Sequence, residues 1–153
     1  MSAEEGIRRG RVLVTGASGF LGVNLVWALR EQGFRVRAFV RRPPCGPQWA
    51  GLEDVELAIG DVRNLEQIEY ALEGVTGVLH AAALTRILPR PQRDAYHVNV
   101  EGTRNVCAAA LRAGVRRLVF TSSASTLAPV SSIRAPYYDS KRWAEQVVQA
   151  FNA

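Results

Sequence analysis

The sequence predicts an α/β fold, a doubly wound parallel sheet of the Rossmann type with about five strands. Three observations lead to it: short apolar runs alternate with segments of helical spacing, a glycine-rich turn follows the first run, and the chain has no internal repeat. Strands that alternate with helices form parallel sheets, because each helix carries the chain back to the same edge. We therefore expect the strand order 3-2-1-4-5, with residues 1–10 as a flexible N-terminus and residues 11–153 as one domain.

The individual elements follow from local patterns. Strands are expected at residues 11–15, 34–40, 55–59, 75–82 and 117–122, which are short apolar runs. Helices are expected at residues 20–32, 64–72, 92–113 and from 136 or 137 to 150, where apolar residues recur at helical spacing. Asn64 is a candidate N-cap, whereas Gly33 and Gly114 are C-cap signals. The proline- and glycine-rich stretch 43–51 is expected to be a loop.

The overall composition excludes several classes of protein. The chain has a net charge of +5, and its arginines occur singly or in pairs. Such scattered charge is typical of a solvated surface, so we expect no nucleic-acid partner. No apolar run reaches the roughly 18 residues of a membrane span and no signal peptide is evident, so we expect a cytoplasmic protein without a membrane partner. Cys45 and Cys107 fit no metal-binding spacing, so we expect reduced thiols and no metal site.

The turn after the first strand has the pattern of a phosphate-binding loop. Gly16 permits a tight turn, Gly19 lets the backbone approach a pyrophosphate, and Gly22 lets the following helix pack against the strand. The helix dipole and the free N–H groups face the anion. A purely structural glycine turn is the alternative. The position within a strand–turn–helix unit favours a dinucleotide site, formed by Gly16, Ser18, Gly19, Phe20, Leu21 and Gly22.

The end of the second strand bears on which dinucleotide binds. Arg41 and Arg42 stand there, with no acidic residue nearby. A carboxylate would accept the ribose hydroxyls of NAD, whereas an arginine pairs with the 2′-phosphate of NADP. NADP is therefore the expected cofactor, and NAD is the alternative if both arginines are ordinary surface residues. After the third strand, Asp61 and Val62 are placed to contact the adenine ring, although Asp61 could instead cap the next helix.

Tyr137 and Lys141 form the candidate catalytic pair. They lie four apart at the start of a predicted helix and so share one helix face. An ammonium close to a phenol stabilises the phenolate and lowers the phenol pKa. Eighteen of the nineteen basic residues are arginine, so the only lysine stands where this chemistry needs one. Ser122 or Ser123, at the end of the fifth strand, could polarise a bound carbonyl or could be ordinary turn residues.

Together these motifs resemble the extended short-chain dehydrogenase/reductases, in particular the dihydroflavonol-reductase-like and epimerase/dehydratase members. The matching motifs are Thr15-Gly16-x-x-Gly19-x-x-Gly22, Gly60-Asp61, His80-Ala81-Ala82-Ala83, Val98-Asn99-x-x-Gly102-Thr103, Ser122-Ser123 and Tyr137-x-x-x-Lys141. The resemblance implies that Tyr137 is the catalytic acid/base, that Lys141 holds the nicotinamide ribose, and that Ser123 rather than Ser122 polarises the substrate.

The same resemblance assigns roles to the remaining motif residues. Asn99 would occupy a fourth catalytic position or shape the site. Ala81 and Ala82 would contact the cofactor, and His80 would end the fourth strand beside it. His97 would be structural.

Two features depart from this family and keep the function open. The segment between Ser123 and Tyr137 is short. The chain is also about half as long as extended members, so the C-terminal region that forms most of the substrate pocket is missing; we expect either a fragment or a natural minimal version. The expected function is an NAD(P)-dependent oxidoreductase acting on a small-molecule carbonyl or secondary alcohol, with the long helices allowing a homodimer. The alternatives are a sugar-nucleotide epimerase/dehydratase and a truncated dinucleotide-binding module without turnover.

Overall fold

The computed structural model describes residues 10–86, 93–127 and 135–152. Three predictions therefore lie outside the described residues: the flexible N-terminus over residues 1–9, the proline-containing loop with the helix start at Gln92, and the middle of the segment between Ser123 and Tyr137. The described residues contain every predicted strand and the greater part of every predicted helix.

The five strands form one sheet in the predicted order, β3-β2-β1-β4-β5. They are β1 (Arg11–Thr15), β2 (Arg35–Val40), β3 (Glu56–Ile59), β4 (Val75–His80) and β5 (Arg117–Phe120). All neighbouring strands are parallel, so their carboxyl ends meet at one edge. From β1 the chain adds β2 and β3 on one side of the sheet and then crosses to add β4 and β5 on the other side. An open α/β sheet has a crevice at its carboxyl edge between the two strands where this change occurs, here β1 and β4.

Helices pack on the sheet and connect its strands. They are α1 (Phe20–Glu31), α2 (Leu65–Ala71), α3 (Arg93–Tyr96), α4 (Gly102–Arg112) and α5 (Pro136–Ala150). Asn64 caps α2 as predicted, because its Oδ1 accepts a hydrogen bond from the Gln67 N–H at 3.2 Å. The alternative prediction that Asp61 caps this helix is wrong, since its carboxylate accepts hydrogen bonds from Arg63 instead. The predicted loop 43–51 contains one short 3-10 turn, Pro47–Trp49.

The helix predicted over residues 92–113 is present without a break over residues 93–112, but it is not α-helical throughout. Between α3 and α4, residues His97–Glu101 form a π-helical turn. Such a turn closes its hydrogen bonds over one residue more than an α-helical turn, and it is frequently found at functional sites. Periodicity does not reveal it, because α3 and α4 each keep their own helical spacing.

Two strands end earlier than predicted. β4 ends at His80 rather than residue 82, and β5 ends at Phe120 rather than residue 122. One further backbone bond follows each strand, from the Ala81 N–H to the Thr15 oxygen at 3.3 Å and from the Thr121 N–H to the His80 oxygen at 3.0 Å. Beyond these bonds the chain leaves the sheet and is free to line a cavity.

The core consists of two layers, one on each face of the sheet. Successive residues of a strand point to opposite faces, so Leu13 packs in one layer and Val14 in the other. The Leu13 layer is closed by Ile68 of α2 and Val106 of α4, and the Val14 layer is closed by Val26 of α1. The central strands are thus covered on both faces, whereas Leu57, Ile59 and Val119 of the outer strands stay exposed.

Candidate active site

A cavity of about 580 Å³ opens at the carboxyl edge of the sheet, beside the start of α5. Open α/β sheets bind their ligands at this edge, and cofactor sites have volumes of roughly 300 to 1,000 Å³. Most of the predicted site residues line it: Gly16, Ser18, Gly19, Phe20, Leu21, Gly22, Arg41, Asp61, Val62, Ala81, Ala82, Tyr137 and Lys141. Among the described residues that were predicted, Arg42, Asn99 and Ser123 do not line it.

The glycine loop has the shape that the close approach of a ligand requires. Gly16 has a φ of +67°, in the left-handed region that glycine adopts without strain. A Cβ on Gly22 would stand 2.1 Å from the Gly16 carbonyl oxygen, so only glycine allows α1 to pack this closely against the turn. A Cβ on Gly19 would meet that same oxygen at 3.2 Å, with nothing else near. Gly16 and Gly22 therefore shape the turn, while Gly19 keeps its outer side open to the cavity.

The N-terminus of α1 is suited to bind an anion. Its N-cap residue, Gly19, makes no side-chain capping bond, and the first turn contains no acidic residue. The first N–H groups of a helix have no partner within the helix, and the helix dipole adds positive potential there. A diphosphate would satisfy these donors. The loop therefore fits the dinucleotide that the sequence predicts.

The other end of the cavity is positively charged. Arg41 lines it directly after β2, whereas Arg42 is exposed outside it. Asp61 is paired with Arg63, whose Nη2 lies 2.7 Å from Oδ2. The hydrogen bond from Arg63 lowers the pKa of Asp61 against the effect of burial, and the charge of Arg41 also lowers it. The carboxylate thus stays ionised, and two arginines more than balance its charge.

Helix α5 places Tyr137 and Lys141 on the wall of the same cavity. Lys141 is only 3% exposed, its Nζ donates a hydrogen bond to the Thr121 carbonyl at 2.7 Å, and it lies 4.1 Å above the Phe120 ring centroid. Burial lowers the pKa of Lys141 to about 8, and the charge of Glu145 opposes this effect. The lysine is therefore fixed at the end of β5 and is mostly an ammonium at neutral pH.

The two serines after β5 differ in their partners. Ser122 lines the cavity, but its hydroxyl donates a hydrogen bond to the Glu145 carboxylate. Ser123 Oγ lies 2.8 Å from Ser125 Oγ and accepts a hydrogen bond from the Ser125 N–H at 3.2 Å. An ionised carboxylate only accepts hydrogen bonds, so the Ser122 proton is occupied. The Ser123 hydroxyl can accept from Ser125 and still donate its own proton.

Asn99 lies in the π-helical turn, and its side chain is saturated by protein groups. Oδ1 accepts a hydrogen bond from the Leu84 N–H at 2.7 Å, while Nδ2 donates to the Leu84 carbonyl at 3.1 Å and to Ser140 Oγ at 2.8 Å. Ser140 in turn donates to the Tyr137 carbonyl at 2.7 Å. Of the two predicted roles, this geometry favours shaping the site, because Asn99 ties the segment after β4 to the helix that carries Tyr137.

His80 is buried at the end of β4 and does not line the cavity. Thr103 Oγ1 donates to the Asn99 carbonyl at 2.6 Å, so it accepts from His80 Nε2 at 3.0 Å. His80 Nδ1 then accepts from Thr15 Oγ1 at 2.6 Å. Burial, together with the charge of Lys141, lowers the pKa of His80 to about 3. A neutral imidazole thus connects β1 to the π-helical turn, consistent with a structural role.

Some residues of the site carry no motif. Phe39, Leu84, Thr85 and Thr121 also line the cavity. Each lies at or just beyond the carboxyl end of a strand, and that position is the signal that could have found them. Glu145 of α5 contacts Ser122. It lies four residues after Lys141 on the same helix face, and this spacing is the signal that could have found it.

Metal-ligand clusters and membrane-spanning helices were looked for among the described residues. Within residues 10–86, 93–127 and 135–152, no three side chains of the metal-binding types cluster together. None of the helices in those ranges has the length and apolar character needed to cross a bilayer.

Comparisons with known proteins agree with this geometry. The NAD dependent epimerase/dehydratase family matches over residues 12–153. Sterol demethylase protein B of Methylococcus capsulatus is 50% identical over 111 residues, which are 72% of this chain and 34% of that protein. The 3-beta-hydroxysteroid dehydrogenase of Mycolicibacterium neoaurum is 40% identical over 124 residues, which are 77% of this chain and 33% of that protein. The solved structure of MoeE5 in complex with UDP-glucose and NAD has a TM-score of 0.79 at 32% identity, covering 94% of this chain and 50% of that one.

The chain therefore belongs to the NAD dependent epimerase/dehydratase family. The resemblance to extended short-chain dehydrogenase/reductases is confirmed, and the solved structure of MoeE5 is one that holds NAD. The chain spans about a third of the length of the two curated relatives and half of the solved structure.

Proposed function

We propose that this chain is the cofactor-binding and proton-transferring part of an NAD(P)-dependent oxidoreductase that interconverts a carbonyl and an alcohol. The observation that carries the proposal is the meeting of the glycine loop, Tyr137 and the buried Lys141 in one cavity. Two relatives at 50% and 40% identity are named for sterol demethylation and hydroxysteroid oxidation. They favour a ketone or secondary alcohol on an apolar small molecule as the substrate.

Each residue of the site has its own role in the proposed reaction. A bound nicotinamide dinucleotide supplies or takes up the hydride. In the reducing direction Tyr137 donates its phenolic proton to the carbonyl oxygen, and in the oxidising direction its phenolate removes the proton of the alcohol. The Lys141 ammonium stabilises that phenolate. Ser123 follows the cavity-lining Ser122 and has a proton that no carboxylate takes; in this proposal it donates a hydrogen bond to the same substrate oxygen.

Replacing Tyr137 with phenylalanine tests the proton transfer. Carbonyl-dependent oxidation of NADPH or NADH, measured over a panel of ketones and aldehydes that includes steroid ketones, is expected to fall by roughly two to four orders of magnitude. Tyr138→Phe is the matched control, because Tyr138 lies next to Tyr137 but outside the cavity lining. Full turnover by Tyr137→Phe would remove the proposed role. No turnover by the unmodified chain would favour the dinucleotide-binding module without catalysis.

NADP is the cofactor we propose, and Arg41 is the residue that supports it. Arg41 lines the cavity after β2, where a charge-assisted hydrogen bond to a 2′-phosphate is worth roughly 1.5 to 3 kcal/mol. Arg41→Ala is therefore expected to weaken NADPH binding about tenfold or more and to leave NADH binding nearly unchanged, as measured by fluorescence titration. Arg42→Ala, on the exposed neighbour, is expected to leave both affinities nearly unchanged. Equal affinity of the unmodified chain for NADPH and NADH would refute the choice of NADP.

A sugar-nucleotide epimerase or dehydratase with retained NAD is the second candidate. It is favoured by the match to a structure that holds UDP-glucose and NAD. In that case the hydride returns to the substrate, so a UDP-sugar would be converted without net oxidation or reduction of added cofactor. Product analysis after incubation with UDP-glucose separates this reaction from net carbonyl reduction.

A further inference from the structure

Glu145 connects the catalytic helix to the end of β5. It lies on α5 four residues after Lys141, and its Oε1 accepts a hydrogen bond from the Ser122 hydroxyl. Thr126 Oγ1 lies 3.1 Å from the same oxygen, and its one proton is shared between this carboxylate and the Ser123 carbonyl. The Thr126 hydroxyl also lies 2.8 Å from the Ser123 carbonyl oxygen. A single carboxylate oxygen thus contacts both the strand end and the 3-10 turn that follows it, Ala124–Leu127.

We infer that Glu145 is a positioning residue of the active site: its carboxylate fixes the Ser122–Ser123 strand end against the helix that carries Tyr137 and Lys141. The inference rests on the proposed function, because this placement matters only where the tyrosine and lysine act on a substrate. Without the carboxylate, the Ser122 hydroxyl would be released into the cavity that it lines. The turn would then lose one of the bonds that orient Ser123.

The same carboxylate is the counter-charge of Lys141. The groups that act on Lys141 come from three elements: Glu145 on α5, His80 on β4, and the Phe120 ring with the Thr121 carbonyl at the end of β5. Tyr137 of α5 lines the same cavity. His80 is neutral because burial lowers its pKa to about 3. Within the described residues, Glu145 is the carboxylate that acts on Lys141 and raises its pKa against burial.

Loss of the Glu145 charge would shift the pKa of Lys141 downwards. Burial already lowers the pKa of Lys141 to about 8, and loss of the Glu145 charge would lower it further. A larger share of neutral amine would then be present at neutral pH, and a neutral amine does not stabilise a phenolate. Glu145 thus keeps Lys141 in the charged form that the proposed chemistry uses.

The chain offers a direct measurement of this effect, because Lys141 is its only lysine. Lysine labelled with ¹³C at Cε gives one side-chain signal, whose pH titration in the cofactor-free chain reports the Lys141 pKa. In Glu145→Gln, which keeps an oxygen to accept both hydrogen bonds, that pKa is expected to fall by about half a unit or more. Asp139→Asn removes an acid from the same helix that pairs with Arg142 at 3.6 Å, and it is expected to leave the Lys141 pKa unchanged. An unchanged pKa in Glu145→Gln would overturn the electrostatic part of the inference.

A second variant tests the placement without altering the charge. Thr126→Val removes the hydroxyl that joins Glu145 to the Ser123 carbonyl, and amide hydrogen exchange within Ala124–Leu127 is expected to become faster while the Lys141 pKa stays the same. Unchanged exchange would overturn the positioning part, even if Glu145→Gln did not fold. Both measurements need neither cofactor nor substrate. Their failure is therefore distinguishable from failure of the proposed function, which the cofactor titration and turnover assays decide.

Discussion

At the scale of single residues, the site depends on a charge that is costly to bury. Lys141 is almost fully enclosed, yet it is held by the Thr121 carbonyl, the Phe120 ring and the nearby Glu145 charge. The sequence predicts that Lys141 is catalytic, because it is the only lysine in a chain whose other basic residues are all arginines. Arginine could not replace it, since its planar guanidinium stays charged and needs a wider set of acceptors than one carbonyl provides. Glu145 was missed, because its one signal is its position four residues after Lys141, and glutamates at that spacing are common on helices.

The cost of burying Lys141 gives a prediction on stability and pH. Its pKa is lowered from 10.5 to about 8 in the folded chain. Between these values the unfolded chain binds more protons, so the free energy of unfolding rises with pH. Relative to Lys141→Met, the unmodified chain is expected to gain roughly 2 to 3 kcal/mol from pH 8 to pH 10.5, at about 1.4 kcal/mol for each pKa unit. Urea unfolding at several pH values measures both chains. Parallel curves over this range would contradict the burial of a charged lysine.

At the scale of elements, the sequence predicts the type and order of the strands better than their ends. Apolar β-branched runs mark each strand, and their alternation with helices leads to the observed sheet order. The ends of β4 and β5 were predicted too long, because Ala81-Ala82 and Thr121-Ser122 are as compatible with a strand as with a cavity wall. The π-helical turn was also missed. It depends on hydrogen bonds made by Asn99 to groups distant in sequence, which no local pattern records.

The π-helical turn gives a prediction at this scale. Asn99→Ala would leave the Leu84 N–H and carbonyl without their partner and would remove the hydrogen bond that Ser140 accepts, so it is expected to lower the free energy of unfolding by about 2 kcal/mol or more. Asn105→Ala, on the adjoining α4, removes a single hydrogen bond to the Val62 carbonyl at 3.1 Å and is expected to cost about 1 kcal/mol. Denaturant unfolding compares the two variants. Equal costs would show that the Asn99 contacts do not hold the turn.

At the scale of the whole molecule, one cavity gathers residues that lie at the end of β2 or just after the other four strands, together with residues of helices α1 and α5 and of the π-helical turn. This gathering follows from the parallel topology, and for that reason the cofactor class could be predicted from short motifs. The substrate could not be predicted, because the motifs concern cofactor binding and proton transfer and carry no information on the shape of the substrate. The homodimer also stays a prediction; Tyr96 of α3 and Trp143 of α5 pack edge to face at 5.9 Å on an exposed part of these helices.

The central claim is that one nicotinamide dinucleotide spans this cavity from the glycine loop to Lys141. Titration of the chain with NADPH, followed through the single ¹³C-lysine signal, tests it most directly. The predicted result is a saturable change of the Lys141 signal with the same midpoint as binding measured by fluorescence. Saturation with NADPH that leaves the Lys141 signal unmoved, or the absence of binding, would contradict the claim.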